Sequence, residues 1–353
     1  MTPRSLRVVL FYSLAALALT SAMTSLRAQS AAPAFKPPLG LEDMDIPVPA
    51  DNPMTPGKIK LGEQLFFDKR LSKTKAMSCE TCHVPEKGWT DGLPLSTKAD
   101  GSVNTRHSPT LYGVAYYPDL YWDGRAKGLE AQILAAWKGQ MSGDPDAVAK
   151  ELDGVAAYKS QFEAELGGPP TGDRIVKALA SFVRTIHAGD TPYDRAAKDK
   201  KAAKGDIMAG FTVFSETAHC TLCHLPPLLS DTNFHNVGIG MDKEKPDLGR
   251  GKILADAAQK AGQPAPPEAE TLAGAFKTPS LRGVGASGPY LHDGGTPTLE
   301  AAMDLMLAGG IKNPHLDEKL KPAKITPKQR QQLLAFLKAL TPVAKPYTRP
   351  MLP

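Results

Sequence analysis

All four cysteines of this chain fall in two copies of one pattern, Cys79-Glu-Thr-Cys82-His83 and Cys220-Thr-Leu-Cys223-His224. A C-x-x-C-H run is the attachment signature of c-type haem, in which two thiols form thioethers with the macrocycle and the histidine is placed to ligate iron. Two other uses compete. One such run can be half a zinc site, and an exported chain can spend four cysteines on disulfides. Two intact copies with no cysteine left over favour two covalently bound haem c groups. The chain has 353 residues, room for two domains of ordinary size with a core each. The reading is therefore a mainly α fold of two cytochrome c-like domains, each enclosing an attached haem, with long loops and little strand.

Composition agrees. There are 32 prolines and 31 glycines, and aromatics make up 7%, as expected of modest helices joined by structured loops around a cofactor. Arg4 and Arg7 precede an apolar run from Val8 to Ala22, broken by Ser and Thr and short for a membrane span. Residues 1–28 are therefore read as a signal peptide and the protein as periplasmic, with a retained anchor helix as the alternative. Arg4, Arg7 and Arg27 carry three of the five net positive charges, so the mature chain is nearly neutral and offers no nucleic-acid footprint.

The two motifs divide the chain into an N-terminal domain at 29–200 and a C-terminal domain at 201–353. Residues 29–54 read as a lead-in strap. Thr55-Pro56 and Thr326-Pro327 have the form of an N-cap followed by proline at the first helical position. Helices are expected after both, over 128–166 with a break at Gly143-Asp144-Pro145, over 173–187, and over 207–214. The run Lys198–Lys204 reads as exposed and inter-domain, and Gln263–Glu270 as a loop.

Longer stretches carry a family resemblance. Before the first haem motif stands Leu61-Gly-Glu-Gln-Leu-Phe-Phe-Asp-Lys-Arg-Leu-Ser72, and after it Tyr121-Trp-Asp-Gly-Arg125. The second half has Phe276-Lys-Thr-Pro-Ser-Leu-Arg282 and Gly288-Pro-Tyr-Leu-His-Asp-Gly294. Over about residues 41–342 the chain resembles the bacterial di-haem cytochrome c peroxidase and MauG family. The resemblance implies an N-terminal haem that meets peroxide and a C-terminal haem that relays electrons.

It also implies roles for single residues. His83 and His224 become the proximal iron ligands. Met306, fourteen residues past His292, falls where the family takes the sixth ligand of the second haem, with Met303 as competitor and core packing as the plain alternative. His292 supports that haem without ligating it. Trp122 matches the tryptophan between the haems, although alone it would read as core. Gln132 matches the distal-pocket glutamine. The family's distal glutamate position holds Gln140, in Gln140-Met141, and an amide cannot shuttle a proton as a carboxylate does. The histidine that caps the first haem in many relatives is replaced by Ala99, with His107 the next histidine able to reach it. Relatives carry calcium on an asparagine that is His107 here, together with carbonyls at Ser287 and Pro289. Imidazole suits that hard ion poorly, so calcium is doubtful.

The function implied is peroxide reduction, with hydrogen peroxide as substrate and a small c-type cytochrome or copper protein as donor. A second reading spends the oxidising equivalents on a residue of a partner protein, as MauG does. A third is a non-catalytic electron carrier or sensor. The resemblance leaves a homodimer open. His235 is expected to fix loop structure, and His187, His219 and His315 to lie in packing or at the surface.

Overall fold

The computed structural model describes residues 35–199 and 205–353. The expected signal peptide, the 200/201 boundary and most of the Lys198–Lys204 run lie outside the described residues.

Helices carry the architecture: α1 (Pro56–Phe67), α2 (Leu129–Gln140), α3 (Pro145–Asp153), α4 (Ala156–Leu166), α5 (Gly172–Val183), α6 (Pro192–Lys198), α7 (Asp206–Thr212), α8 (Gly249–Lys260), α9 (Pro267–Thr271), α10 (Leu299–Leu307) and α11 (Pro327–Ala339). The strands are short. β1 (Asp119–Leu120) pairs antiparallel with β2 (Ala126–Lys127), and β3 (Phe234–His235) with β4 (Phe276–Lys277). The mainly α class stands. Among the described residues no helix is long and apolar enough to cross a membrane.

Local chemistry explains most boundaries. The Thr55 hydroxyl accepts from the Lys58 amide at 3.1 Å ahead of Pro56. Thr326 and Gln329 form a reciprocal capping box ahead of α11. The 128–166 stretch breaks twice, at the Asp144 cap of α3 and again at Gly154-Val155. The helix expected to reach His187 stops at Val183, because Thr185 and Ile186 tighten to bonds with Phe182 and Val183. The expected loop at Gln263–Glu270 runs into α9, whose Pro267 and first-turn glutamates suit a helix N-terminus. α8 was not expected from the sequence; among its residues only Gly249 and Gly251 are buried.

The helices make two cores. Leu61, Leu65 and Phe66 of α1 pack with Tyr158, Phe162, Ile175 and Leu179 in the first. Val213, Phe214, Leu333, Phe336 and Leu340 form the second. Each core rests on one close helix crossing. A Cβ on Gly62 of α1 would meet the Ala178 carbonyl of α5 at 1.9 Å, and one on Gly210 of α7 the Gln332 carbonyl of α11 at 2.0 Å. Only glycine lets these backbones approach so closely.

A buried ion pair binds the halves. Arg282 reaches both carboxylate oxygens of Asp194 at 3.0 and 3.1 Å. Its remaining donors go to the carbonyls of Ala188, Gly40 and Pro227 at 2.6–3.0 Å. The side chains are 3% and 2% exposed. The chain end also crosses back: Tyr347 packs on Phe67 and Trp89 of the first core, and Arg349 pairs with Glu80 and Glu86.

Removing one partner of a buried pair strands the other charge, at a cost of about 3–5 kcal/mol. Asp194→Ala is expected to lower unfolding stability of the haem-loaded protein by about that amount, read from its urea midpoint. A change below about 1 kcal/mol would contradict this role.

Candidate functional site

The two C-x-x-C-H runs fold alike. Each opens on a tight 3₁₀ turn, Cys79–Thr81 and Cys220–Leu222, and the histidine amide bonds back to the first cysteine carbonyl, at 3.1 Å for His83 and 2.9 Å for His224. In each, ring Nδ1 lies 2.9 Å from a main-chain carbonyl, that of Trp89 for His83 and of Leu229 for His224. A carbonyl can only accept, so Nδ1 carries the hydrogen and the lone pair stands on Nε2. Burial pushes both imidazoles below the ordinary histidine range, keeping them neutral as ligands must be. Trp89 and Leu229 both take positive φ, 61° and 57°, rare for such side chains. The backbone is turned at both points to aim a carbonyl at the iron-binding ring.

The first histidine opens on a cavity of about 370 Å³ lined by Cys79, Cys82, His83, Trp122, Gln132 and Gln140. All six stand out in the sequence, and one space gathers them. Ile133 and Ala136 complete the α2 wall, with Met141 just past its end. None of the four cysteines is in a disulfide, and burial pushes the Cys79 and Cys220 thiols up to about 12. Cys223, Asp231 and His235 do have ligand atoms within 4.8 Å of one another. Yet both ring nitrogens of His235 are taken, by Asp317 at 2.5 Å and Asp231 at 2.9 Å. Thiols, freed Nε2 atoms and an apolar cavity fit covalently attached haem.

The halves are related by a repeat that the sequence reading did not find. Residues 107–137 and 277–307 align without a gap, 170 positions apart, with Pro109 against Pro279, Gly113 against Gly283 and Asp123-Gly124 against Asp293-Gly294. The geometry repeats too. Tyr121 and Leu291 both have positive φ, and Thr110 and Ser280 hydroxyls donate to the carbonyls of Gly88 and Leu228, just past each haem histidine. On this register Trp122 matches His292, His107 matches Lys277, and Ala136 matches Met306.

The repeats meet reciprocally. The His107 amide donates to the His292 carbonyl at 2.8 Å, and the Lys277 amide to the Trp122 carbonyl at 2.7 Å. Both contacts join the same two positions, as across a two-fold axis. The Trp122 indole adds a bond to the His107 carbonyl at 2.9 Å, so Trp122 is gripped from both halves. Arg106 reinforces the join by a bidentate bond to Asp247 at 2.7 and 2.8 Å.

The remaining candidates take definite places. The His292 ring stacks on Phe276 at 3.5 Å, and burial pushes it down to about 4. Met306 is half-buried on α10, whereas Met303 is packed into the second core. The Gln140 side-chain amide donates to Asn104 Oδ1 at 3.3 Å, and the Gln140 main-chain carbonyl accepts from the Ala99 amide at 2.9 Å. The positions lacking the family's glutamate and histidine are thus neighbours. His107 donates from Nδ1 to the Leu93 carbonyl at 2.8 Å and offers only a ring nitrogen, so the donor set does not fit calcium. His187 is a packing residue stacked on Phe35.

Known proteins agree with these features. A family model described as di-haem cytochrome c peroxidase matches residues 56–202. The chain is 38% identical over 313 residues to the methylamine utilization protein MauG of Methylorubrum extorquens, covering 87% of this chain and 85% of that one. This chain belongs to the di-haem cytochrome c peroxidase family. It is 36% identical to the cytochrome-c peroxidase IdrP1 of Denitromonas iodatirespirans, over 92% of both chains. A solved MauG-like protein associated with microbial copper homeostasis superposes with a TM-score of 0.74 at 27% identity, covering 89% of this chain and 95% of its own. The protein is a peroxidase-type oxidoreductase with two covalently bound c-type haems.

Burial also sets a pH response. His187 and His292 are both held down to about 4, while an unfolded histidine titrates near 6.5. Between those values the unfolded chain takes up protons that the folded one refuses, so stability falls as pH drops from about 6.5 to 4. Each group forgoes on the order of 3 kcal/mol over that window. Urea midpoints of the loaded protein between pH 7 and 4.5 are expected to fall; a flat profile would contradict the assignment.

Proposed function

We propose that this protein reduces hydrogen peroxide to water at the haem held by Cys79, Cys82 and His83, with electrons that enter at the haem held by Cys220, Cys223 and His224. Each turnover takes one hydrogen peroxide, two protons and two electrons and gives two waters. The donor is a small c-type cytochrome or copper protein. The protein acts in the periplasm, to which residues 1–28 direct it, and its halves act as two cytochrome c-like domains.

One observation carries the reading: the repeat places Ala136 in the first half where Met306 stands in the second. A methyl group cannot ligate iron, which leaves space over the first haem for peroxide. Met306 offers a thioether to the second, the ligand that favours an electron-relay role. When bound, the haem irons supply the redox chemistry. His83 Nε2 would hold the first iron, and Gln132 and Gln140, which line the same cavity, would offer amides to orient peroxide. Trp122, gripped by His107 and Lys277, stands between the halves as the electron relay.

Gln140 favours a second reading in one respect. Without a carboxylate there, cleavage of peroxide lacks its usual proton carrier, and slow consumption suits an enzyme that oxidises a residue of a partner protein. MauG is among the relatives.

Steady-state peroxide consumption with a reduced small cytochrome separates these readings. Trp122→Phe is expected to lower turnover by about tenfold or more, with the peroxide-binding rate unchanged. Gln140→Glu, which restores a proton carrier, is expected to raise the rate, by up to about 100-fold. Equal rates in all three proteins would sink the assigned roles.

A further inference from the structure

One cation in the first haem cavity has no counter-charge. Lys277 comes from the second half, on β4, yet it lines the cavity around His83. Its ammonium sits 3.8 Å from the centre of the Tyr117 ring. Among the described residues no carboxylate lies within ion-pair distance of it. Its nearest acids are committed elsewhere, Asp119 to Lys127 and Arg250, Asp123 to Arg106 and Arg125. A ring face offsets only part of the cost of taking an ammonium out of water. Burial accordingly pulls the amine down to about 7. The other cations on the cavity wall are paired: Arg106 with Asp123 and Asp247, Arg125 with Asp123.

The repeat sharpens the point. The position matching Lys277 is His107, 4% exposed, whose Nε2 is buried without a hydrogen-bond partner and which lines the same cavity. Two basic groups, a buried His107 and a half-buried Lys277, one from each half, are left over where the halves meet.

A haem c carries two carboxylates on the edge of the macrocycle away from its thioether links. We propose that Lys277 is the ion-pair partner of a carboxylate of the first haem, so that this haem, covalently fixed to one half, is also bound by the other. The pair satisfies the ammonium and gives the cofactor an anchor across the junction. A fixed positive charge beside the macrocycle stabilises the reduced, less positive state, so Lys277 raises the midpoint potential of that haem.

The test is a redox titration of the loaded protein, followed in the absorption bands of the first haem, with resonance Raman spectra of its propionate bending modes. Lys277→Gln is expected to lower the first midpoint potential and shift the propionate band, leaving the second haem's potential nearly unchanged. Lys277→Arg, which keeps the charge, is expected to restore both. Unchanged potential and band in a folded Lys277→Gln protein would overturn the proposal. If that variant does not fold, a crystal structure of the loaded wild-type protein decides it. A Lys277 Nζ to carboxylate distance within about 4 Å supports the pair, and a longer one excludes it.

Discussion

Two backbone hydrogen bonds, His107 to His292 and Lys277 to Trp122, fix how one haem site stands to the other. They are equivalent bonds from equivalent positions, so each half holds its partner by the same feature. Around them the buried Arg282–Asp194 pair and the Arg106–Asp247 pair keep the junction from opening. Electron exchange falls steeply with separation, so a two-haem enzyme cannot leave that geometry to a flexible linker. The Arg282–Asp194 pair is costly to bury, and that cost is tolerable because the guanidinium donates to both carboxylate oxygens and to three carbonyls.

Within this near-symmetric frame the two sites differ where the chemistry must differ. Ala136, which has no ligand atom to offer, answers Met306, which has a thioether. Trp122 answers His292, so an indole capable of relaying an electron stands on one side only. His107 answers Lys277, both basic, the first buried and the second half-buried at the junction. The frame that repeats, by contrast, is what holds the iron-binding rings: the C-x-x-C-H turn, the carbonyl aimed at Nδ1, and the hydroxyl that braces the loop beyond. The scaffold repeats, and the residues that differ between its two copies are those proposed to set the two sites apart.

Much of this was legible in the sequence because it depends on local chemistry. The paired C-x-x-C-H runs, the Thr-Pro helix starts at 55 and 326, and the grouping of Trp122, Gln132 and Gln140 came through. What escaped depends on contacts between distant segments. The carbonyls of Trp89 and Leu229 act through a left-handed backbone that no residue preference signals. The return of Tyr347 and Arg349 onto the first core follows a segment without periodicity. α8 has too little apolar pattern to announce itself. The 170-residue repeat was readable, since Ser108-Pro-Thr-Leu and Thr278-Pro-Ser-Leu align by eye, but the haem motifs are spaced differently and draw attention from it.

The most direct measurement is stopped-flow absorption of the fully reduced di-haem protein mixed with one equivalent of hydrogen peroxide. Peroxide accepts two electrons, one from each haem if the sites are connected through Trp122. Both ferrous spectra are expected to disappear together, with one equivalent enough to oxidise both haems, and the second to lag the first in Trp122→Phe. Persistence of the ferrous spectrum of the Met306-side haem in the wild-type protein would contradict it.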